Sequence, residues 1–198
     1  MNRLMLRRAT IGDAEAIAAI YAPYVRDTAI SFEIEPPDGV EMRRRVDTVG
    51  ETYPWLVAHL ESGELLGYAY ASRHRDRAAY RWSVDVTVYV RRDAHRRGIG
   101  RTLYRALLPV VAAQGYRNAY AGITLPNAAS VGVHEAMGFA PVGVYRRVGW
   151  KLGLWHDVGW WALELSSSGA PPDEPRPIGD VIDGPAWRAA LATAPAAQ

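Results

Sequence analysis

The apolar positions of this chain change their spacing several times, and each change marks an element. Leu4 to Ala9 reads as a short first strand. Thr10-Ile11-Gly12-Asp13 then matches a capping box, with Thr10 at the N-cap and Asp13 reaching back. The predicted helix that follows carries Ile17, Ile20, Tyr21 and Tyr24 on one face. Asp27 to Pro37 is a loop, and a polar helix is expected from Asp38 to about Val49. Trp55–Leu60 and Leu65–Ser72 form a hairpin around Glu61-Ser62-Gly63-Glu64, where the turn has its glycine. A central strand runs from Tyr80 to Val90, its β-branched and aromatic residues suited to a pleated, half-buried surface. Ile99, Leu103, Ala106, Leu107 and Val110 return to helical spacing, and that helix stops near Gln114-Gly115. Asn118–Thr124 is a further strand and Pro126-Asn127 opens a helix ending at Met137-Gly138. Phe139–Trp150 and Trp155–Leu165 close the pattern as a hairpin across Lys151 to Leu154. This order predicts a mixed, mostly antiparallel α/β (α+β) sheet that splits at the central strand.

From Ser166 the composition shifts to serine, proline and alanine. Residues 1–165 therefore read as one domain and 166–198 as a flexible tail, with a short helix within Ile178–Leu191. At 198 residues and 49% hydrophobic, the chain is long enough for one domain with a full core. A net charge of +2 is too weak, and the arginines too scattered, for a nucleic-acid protein. The absence of cysteine excludes disulfides, thiolate metal sites and an acyl-cysteine intermediate. The His and Asp residues show no metal-ligand spacing. No signal-peptide core and no run of about 18 apolar residues is present, so a cytoplasmic protein without membrane contact is expected.

The chemistry gathers where the central strand meets the next helix. Arg96-Arg97-Gly98-Ile99-Gly100-Arg101 lies between them. A strand that passes through glycines into a helix start leaves backbone N–H groups free, and the helix dipole favours an anion there. The arginines add charge suited to phosphate. The spacing lacks the Lys-Ser/Thr of a P-loop and the third glycine of a dinucleotide fingerprint. A surface turn with solvated arginines is the plain alternative for this stretch taken alone.

The loop resembles the acyl-CoA pyrophosphate loop of the GNAT N-acetyltransferases, Gln/Arg-x-x-Gly-x-Gly/Ala, with His95 in the first position. Further stretches in the same order extend the likeness: Ser31-Phe32-Glu33…Pro36, Tyr53-Pro54-Trp55-Leu56-Val57-Ala58 and Trp82 to Val90. After them come Leu125-Pro126-Asn127…His134-Glu135-Ala136-Met137-Gly138-Phe139 and Trp155-His156-Asp157-Val158-Gly159. From Leu4 to Leu165 the chain resembles the phosphinothricin / methionine sulfoximine N-acetyltransferase branch of that superfamily. The resemblance implies a sheet splayed at its central strand, with helices on both faces. Acetyl-CoA would lie in the opening, its pantetheine arm paired with the Val88-Tyr89-Val90 backbone. Arg96, Arg97, Gly98, Ile99, Gly100 and Arg101 would hold the pyrophosphate, and Asn127 would touch the arm. A homodimer is expected, with acetyl-CoA and an amino-acid-like amine as its small-molecule partners and no metal.

An ammonium has no lone pair, so the acceptor must lose a proton before it attacks the thioester. Asp85, inside an otherwise apolar strand, is the candidate base, with a water relay plausible because the related enzymes carry the longer glutamate there. His134, seven residues after Asn127, stands where many GNAT enzymes place a tyrosine that protonates the thiolate, and can serve as acid or second base. Tyr104 and Tyr89 are the alternative donors. Arg73 and Arg75 are candidates for the acceptor's carboxylate, with Phe32 and Trp82 lining its pocket. His156 reads as structural; His59 and His74 receive no role. A polyamine or protein N-terminus as acceptor, and a non-catalytic acyl-CoA-binding module, stand as alternatives.

Overall fold

A computed structural model describes residues 3–167 and 173–192. Strands β1 (Leu4–Arg8), β2 (Trp55–Leu60), β3 (Leu65–Arg73), β4 (Ser83–Val90), β5 (Asn118–Leu125), β6 (Ala140–Lys151) and β7 (Leu154–Glu164) form one seven-stranded sheet in the order β1-β2-β3-β4-β5-β7-β6. Every neighbouring pair is antiparallel except β4 and β5. Helices α1 (Ala14–Asp27) and α2 (Gly39–Gly50) cover one face; α3 (Ile99–Ala113) and α5 (Pro185–Ala192) cover the other. The remaining helix, α4 (Ala128–Ala136), follows β5.

Strand alternation explains the two cores. Val84 and Val86 of β4 join Ala119, Ala121 and Ile123 of β5 under Leu103, Leu107 and Val110 of α3. On the opposite face Ile17, Ile20 and Tyr21 of α1 and Met42 and Val46 of α2 pack on Trp55, Val57 and Tyr68. Leu103 and Leu107 are fully buried, and each such side chain stabilises the fold by roughly 1.5–3 kcal/mol.

The splay has a local cause. β4 and β5 pair only at Ser83↔Asn118, Val84↔Ala119 and Asp85↔Tyr120. Beyond these, β4 stays with β3 as far as Val90↔Gly67, and β5 stays with β7 as far as Leu125↔Asp157. Each half-sheet keeps its own antiparallel partner and twists with it, so the parallel contact opens into a V just after Asp85.

The expected elements and their order are present, with local corrections. The central strand begins at Ser83, not Tyr80: Ala78–Tyr80 winds into a 3-10 turn, Arg81 N–H bonding Ala78 O at 3.1 Å. The final hairpin turns through Leu152 (φ 50°) and Gly153 (φ 76°), the two-residue turn that suits strand twist. Residues 173–192 of the tail expected from residue 166 pack on the domain, and the short helix expected within Ile178–Leu191 is α5. Ile178 is fully buried and Trp187 packs into the α3 core. Gln114 clamps the segment, its Nε2 donating to Thr52 O and Arg176 O, both at 2.8 Å. Ser168 to Pro172 of the expected linker lie outside the described residues. Among the described residues no helix is long and apolar enough to cross a membrane.

Candidate functional site

Gly98 caps α3 in the left-handed conformation (φ 76°, ψ 3°), and no side chain caps the helix. The N–H groups of the first turn, Ile99 to Arg101, therefore point outward without intrahelical acceptors. A Cβ on Gly98 would meet nothing within 4 Å, so the space above the turn is open. Arg96 enters the turn with φ 64°, a rare conformation for a side-chain-bearing residue. Neighbouring arginines have other work: Arg91 pairs with Glu64 and Asp93, and Arg92 with Asp27 at 2.8 Å. Arg96 and Arg101 have no ion-pair partner among the described residues and are exposed. His95 is exposed but engaged through its Nε2, 3.0 Å from Val90 O and 2.6 Å from the Tyr24 hydroxyl.

Arg91 N–H bonds Leu66 O at 2.8 Å, which makes Val90↔Gly67 a non-hydrogen-bonded pair of the β3–β4 ladder. By alternation, the peptide groups of Val88 and Val90 face away from β3 into the opening left by β5. Those of Val88 have no strand partner there. The Val90 carbonyl is taken by Tyr24 and His95, so only its N–H is offered. Tyr89 sends its ring to the other face, against Tyr21 (4.8 Å) and Tyr24 (5.0 Å), and burial pushes its hydroxyl pKa well up.

A cavity fills the V between β4 and β5, lined by Val86, Thr87, Val88, Gly122, Ile123 and Tyr104, with Asn127 and His134 from α4. Asn127 is the N-cap of α4, its Oδ1 accepting from Ser130 N–H at 3.1 Å. His134 is 4% exposed. Its Nδ1–H donates to Ser130 O at 2.8 Å, leaving Nε2 to accept from the Tyr104 hydroxyl at 2.9 Å. Burial pulls the His134 pKa down, so the ring is neutral, and burial pushes that of Tyr104 up. The structure thus pairs the two residues into one unit.

Asp85 occupies the last β4–β5 pair before the V opens. Burial pushes its carboxyl above the usual range, against the opposing pull of a hydrogen bond from His74 and the Arg75 charge. His74 Nδ1 lies 2.6 Å from Asp85 Oδ1. Arg75 stacks over Trp160, 5.4 Å from its ring, on the same side. Gly122 makes room for Trp160: a Cβ there would come within 3.3 Å of the indole.

The other acceptor candidates separate. Arg73 pairs with Val84, whose side chain enters the α3 core, so Arg73 projects from the face opposite Asp85 and lies 3.9 Å from Asp76. Trp82 donates to Asp173 O at 2.9 Å and stacks under Arg81, serving the docked tail and not the V. Phe32 sits over Gly149, where a Cβ would lie 2.2 Å from its ring, while Ile30 of the same loop lines the cavity. Lys151 pins that loop, its Nζ donating to Val25 O and Ser31 O at 2.6 Å each. Glu33, with Tyr21 and Arg45, adds a second tie. The sequence pattern gave no signal for Ile30, Trp160 or Tyr120; His74 was visible as a histidine without a partner. Among the described residues no group of His, Asp and Glu could hold a metal.

A splayed sheet with an uncapped helix start at its mouth defines an acyl-CoA-type transferase site. The family model described as "Acetyltransferase (GNAT) domain" matches residues 6–160, and the chain belongs to the GNAT acetyltransferases. It is 40% identical to the phosphinothricin N-acetyltransferase of Streptomyces viridochromogenes, over 87% of this chain and 93% of that one. The L-methionine sulfoximine/L-methionine sulfone acetyltransferase of Pseudomonas aeruginosa is 36% identical over 84% and 98%. Among solved structures, a GNAT phosphinothricin acetyltransferase from Sinorhizobium meliloti in complex with acetyl-CoA superposes with a TM-score of 0.83 at 34% identity, covering 87% of this chain and 94% of that one.

Proposed function

We propose that the protein transfers the acetyl group of acetyl-CoA to the α-amine of a small amino acid or analogue of the phosphinothricin, methionine sulfoximine or methionine sulfone type. The observation that carries this reading is the V between β4 and β5, with a partly buried Asp85 at its apex and an open, uncapped helix start at its mouth. The relatives' substrates supply the acceptor class. Acetyl-CoA fits the donors present. Gly98 and the α3 first turn take the pyrophosphate with Arg96, Arg97 and Arg101, and the Val88 peptide pairs with the pantetheine amides as an added strand. Asn127 lies along the same arm.

With no cysteine to carry the acetyl group, the amine attacks the thioester carbon directly. The ammonium gives one proton to the Asp85 site and the neutral amine forms the C–N bond; as the C–S bond breaks, the nitrogen's surplus proton passes to the CoA thiolate, which leaves as the thiol. The Tyr104 hydroxyl, held by His134 Nε2, meets the departing sulfur after rotating its O–H away from the ring; His134 acts through it. Arg75 pairs with the acceptor's carboxylate, a role Arg73 cannot share from the other face. Phe32 and Ile30 close the acceptor side.

The β6–β7 hairpin supports a homodimer. Among the described residues β6 is an edge strand, and Val142, Val148, Trp150, Leu154 and Trp155 of the hairpin are each at least half exposed. Sedimentation equilibrium showing a monomer at micromolar concentration would overturn that assignment. The function itself is tested by thiol release from acetyl-CoA across amino acids, polyamines and peptides. Turnover confined to small amino acids and their analogues is expected; preference for polyamines or peptides, or acetyl-CoA binding without turnover, contradicts it.

A further inference from the structure

Beside Asp85 stands an imidazole that the reaction above leaves idle. Ser72 faces Asp85 across the β3–β4 ladder, and two residues later His74 turns back over the sheet. Its ring is stacked on Tyr120, with centroids 4.3 Å apart and planes 15° from parallel. Tyr80 and Trp160 bound it edge-on at 5.9 and 6.0 Å. These rings fix the plane of the imidazole, and the 2.6 Å bond to Asp85 Oδ1 fixes its rotation. Nε2 makes no hydrogen bond with any described residue and is not sealed from solvent. One nitrogen is thus committed to a carboxylate and the other is free, the arrangement that makes a histidine a general base.

Resting on the assignment of Asp85 to the amine's proton, we propose that the atom taking that proton is His74 Nε2, with Asp85 as its positioning residue. The neutral ring donates Nδ1–H to Asp85, the ammonium gives its proton to Nε2 directly or through one water, and the carboxylate then faces an imidazolium. Imidazole is the better proton acceptor, about 2.5 units more basic than a carboxylate in water. Burial raises the Asp85 carboxyl, and the hydrogen bond from His74 works against that rise by favouring the charged carboxylate. The charged and titratable groups around the pair are Arg75, which opposes an imidazolium, Asp85, which offsets that opposition, and the phenols of Tyr80, Tyr120 and Tyr70.

The deciding variant is His74→Asn. Its Nδ2–H replaces the Nδ1–H bond to Asp85, and no atom replaces Nε2. The expected result is a fall in kcat/KM of roughly 10²-fold or more, unchanged acetyl-CoA affinity, and an acidic limb of the pH profile moved down by about one unit or more. Near wild-type rate and profile in H74N would make Asp85 the base by itself and overturn the proposal, while leaving the proposed function standing. Full activity in Asp85→Asn, by contrast, strikes the proposed function's use of Asp85. If H74N does not fold, NMR titration of the wild-type imidazole decides. His74 must take up its proton in step with the acidic limb, and a ring that titrates apart from it overturns the assignment.

Discussion

Gly98 offers a sharp test of the anion site, because its side-chain position is open and its charge can be set by choice. Any residue there adopts φ 76°, a left-handed conformation costing about 1–2 kcal/mol of stability for a residue with a Cβ. Gly98→Ala, Gly98→Gln and Gly98→Glu share that cost, so comparing Gln with Glu isolates charge. A carboxylate about 5 Å from a doubly charged pyrophosphate is repelled by about 1.7 kcal/mol in water. Screening over the ~8 Å Debye length at 0.15 M salt leaves about 0.9 kcal/mol, roughly a fivefold loss of affinity. At 0.01 M, where the length is about 30 Å, the loss grows to about tenfold. Displacing even one charge-assisted N–H bond adds about 1.5–3 kcal/mol to both long side chains. Gly98→Glu should therefore bind acetyl-CoA at least about tenfold more weakly than wild type, with the Glu–Gln gap widening as salt falls. Calorimetric titration at the two salt concentrations reads both effects. Equal affinities for the folded Glu and Gln variants at low salt would refute the placement of the pyrophosphate.

Arg75→Ala should raise KM for amino acids roughly 10- to 150-fold, the worth of a charge-assisted pair, with acetyl-CoA affinity intact, while Arg73→Ala changes neither; equal use of the amino-acid amide by wild type contradicts the clamp. Asp13 is tied to Arg7 by two bonds of 2.7 and 2.6 Å; burial alone would raise its carboxyl, but Arg7 and Thr10 hold it below the usual range. Its stabilisation is thus present above the unfolded value near 3.9 and lost as pH falls through the lower folded value. Asp13→Asn should lower Tm at pH 7, and its deficit against wild type should shrink below about pH 4; a deficit constant with pH removes the ion pair from the account. Ile178→Ala, at a fully buried position, should cost about 2–5 kcal/mol in denaturant unfolding, whereas a loss under 0.5 would show the segment detached in solution.

What the sequence disclosed was mostly local. The strand that ends in Val90, the glycines at 98 and 100 and the apolar face of α3 are contiguous, so their spacing disclosed the strand–turn–helix geometry on which the proposed anion site rests. The partnership of His74 with Asp85 depends on the β3–β4 register, which places Ser72 opposite Asp85, and no period in the sequence encodes that. The same register sends Arg73 and Arg75 to different surroundings, which reading them as one basic loop concealed. Trp82 looked like pocket lining because it adjoins the central strand, yet its partner is Asp173, 91 residues away. Beyond its short helix, the segment 173–192 gave no sign of docking because Ile178, Val181 and Trp187 are spread among prolines and small residues; the Gln114 clamp and the packing beside α3 make them a face.

The central claim is direct acetyl transfer with Asp85 at the proton-accepting apex of the V. It is tested most directly by kcat/KM for thiol release in Asp85→Asn, measured beside the acetyl-CoA dissociation constant of the same protein. The substitution keeps size and polarity but removes the carboxylate's charge. A fall of about 10²–10⁴ in kcat/KM with unchanged acetyl-CoA affinity is the predicted result. Turnover near that of wild type on the best amino-acid acceptor would contradict the account.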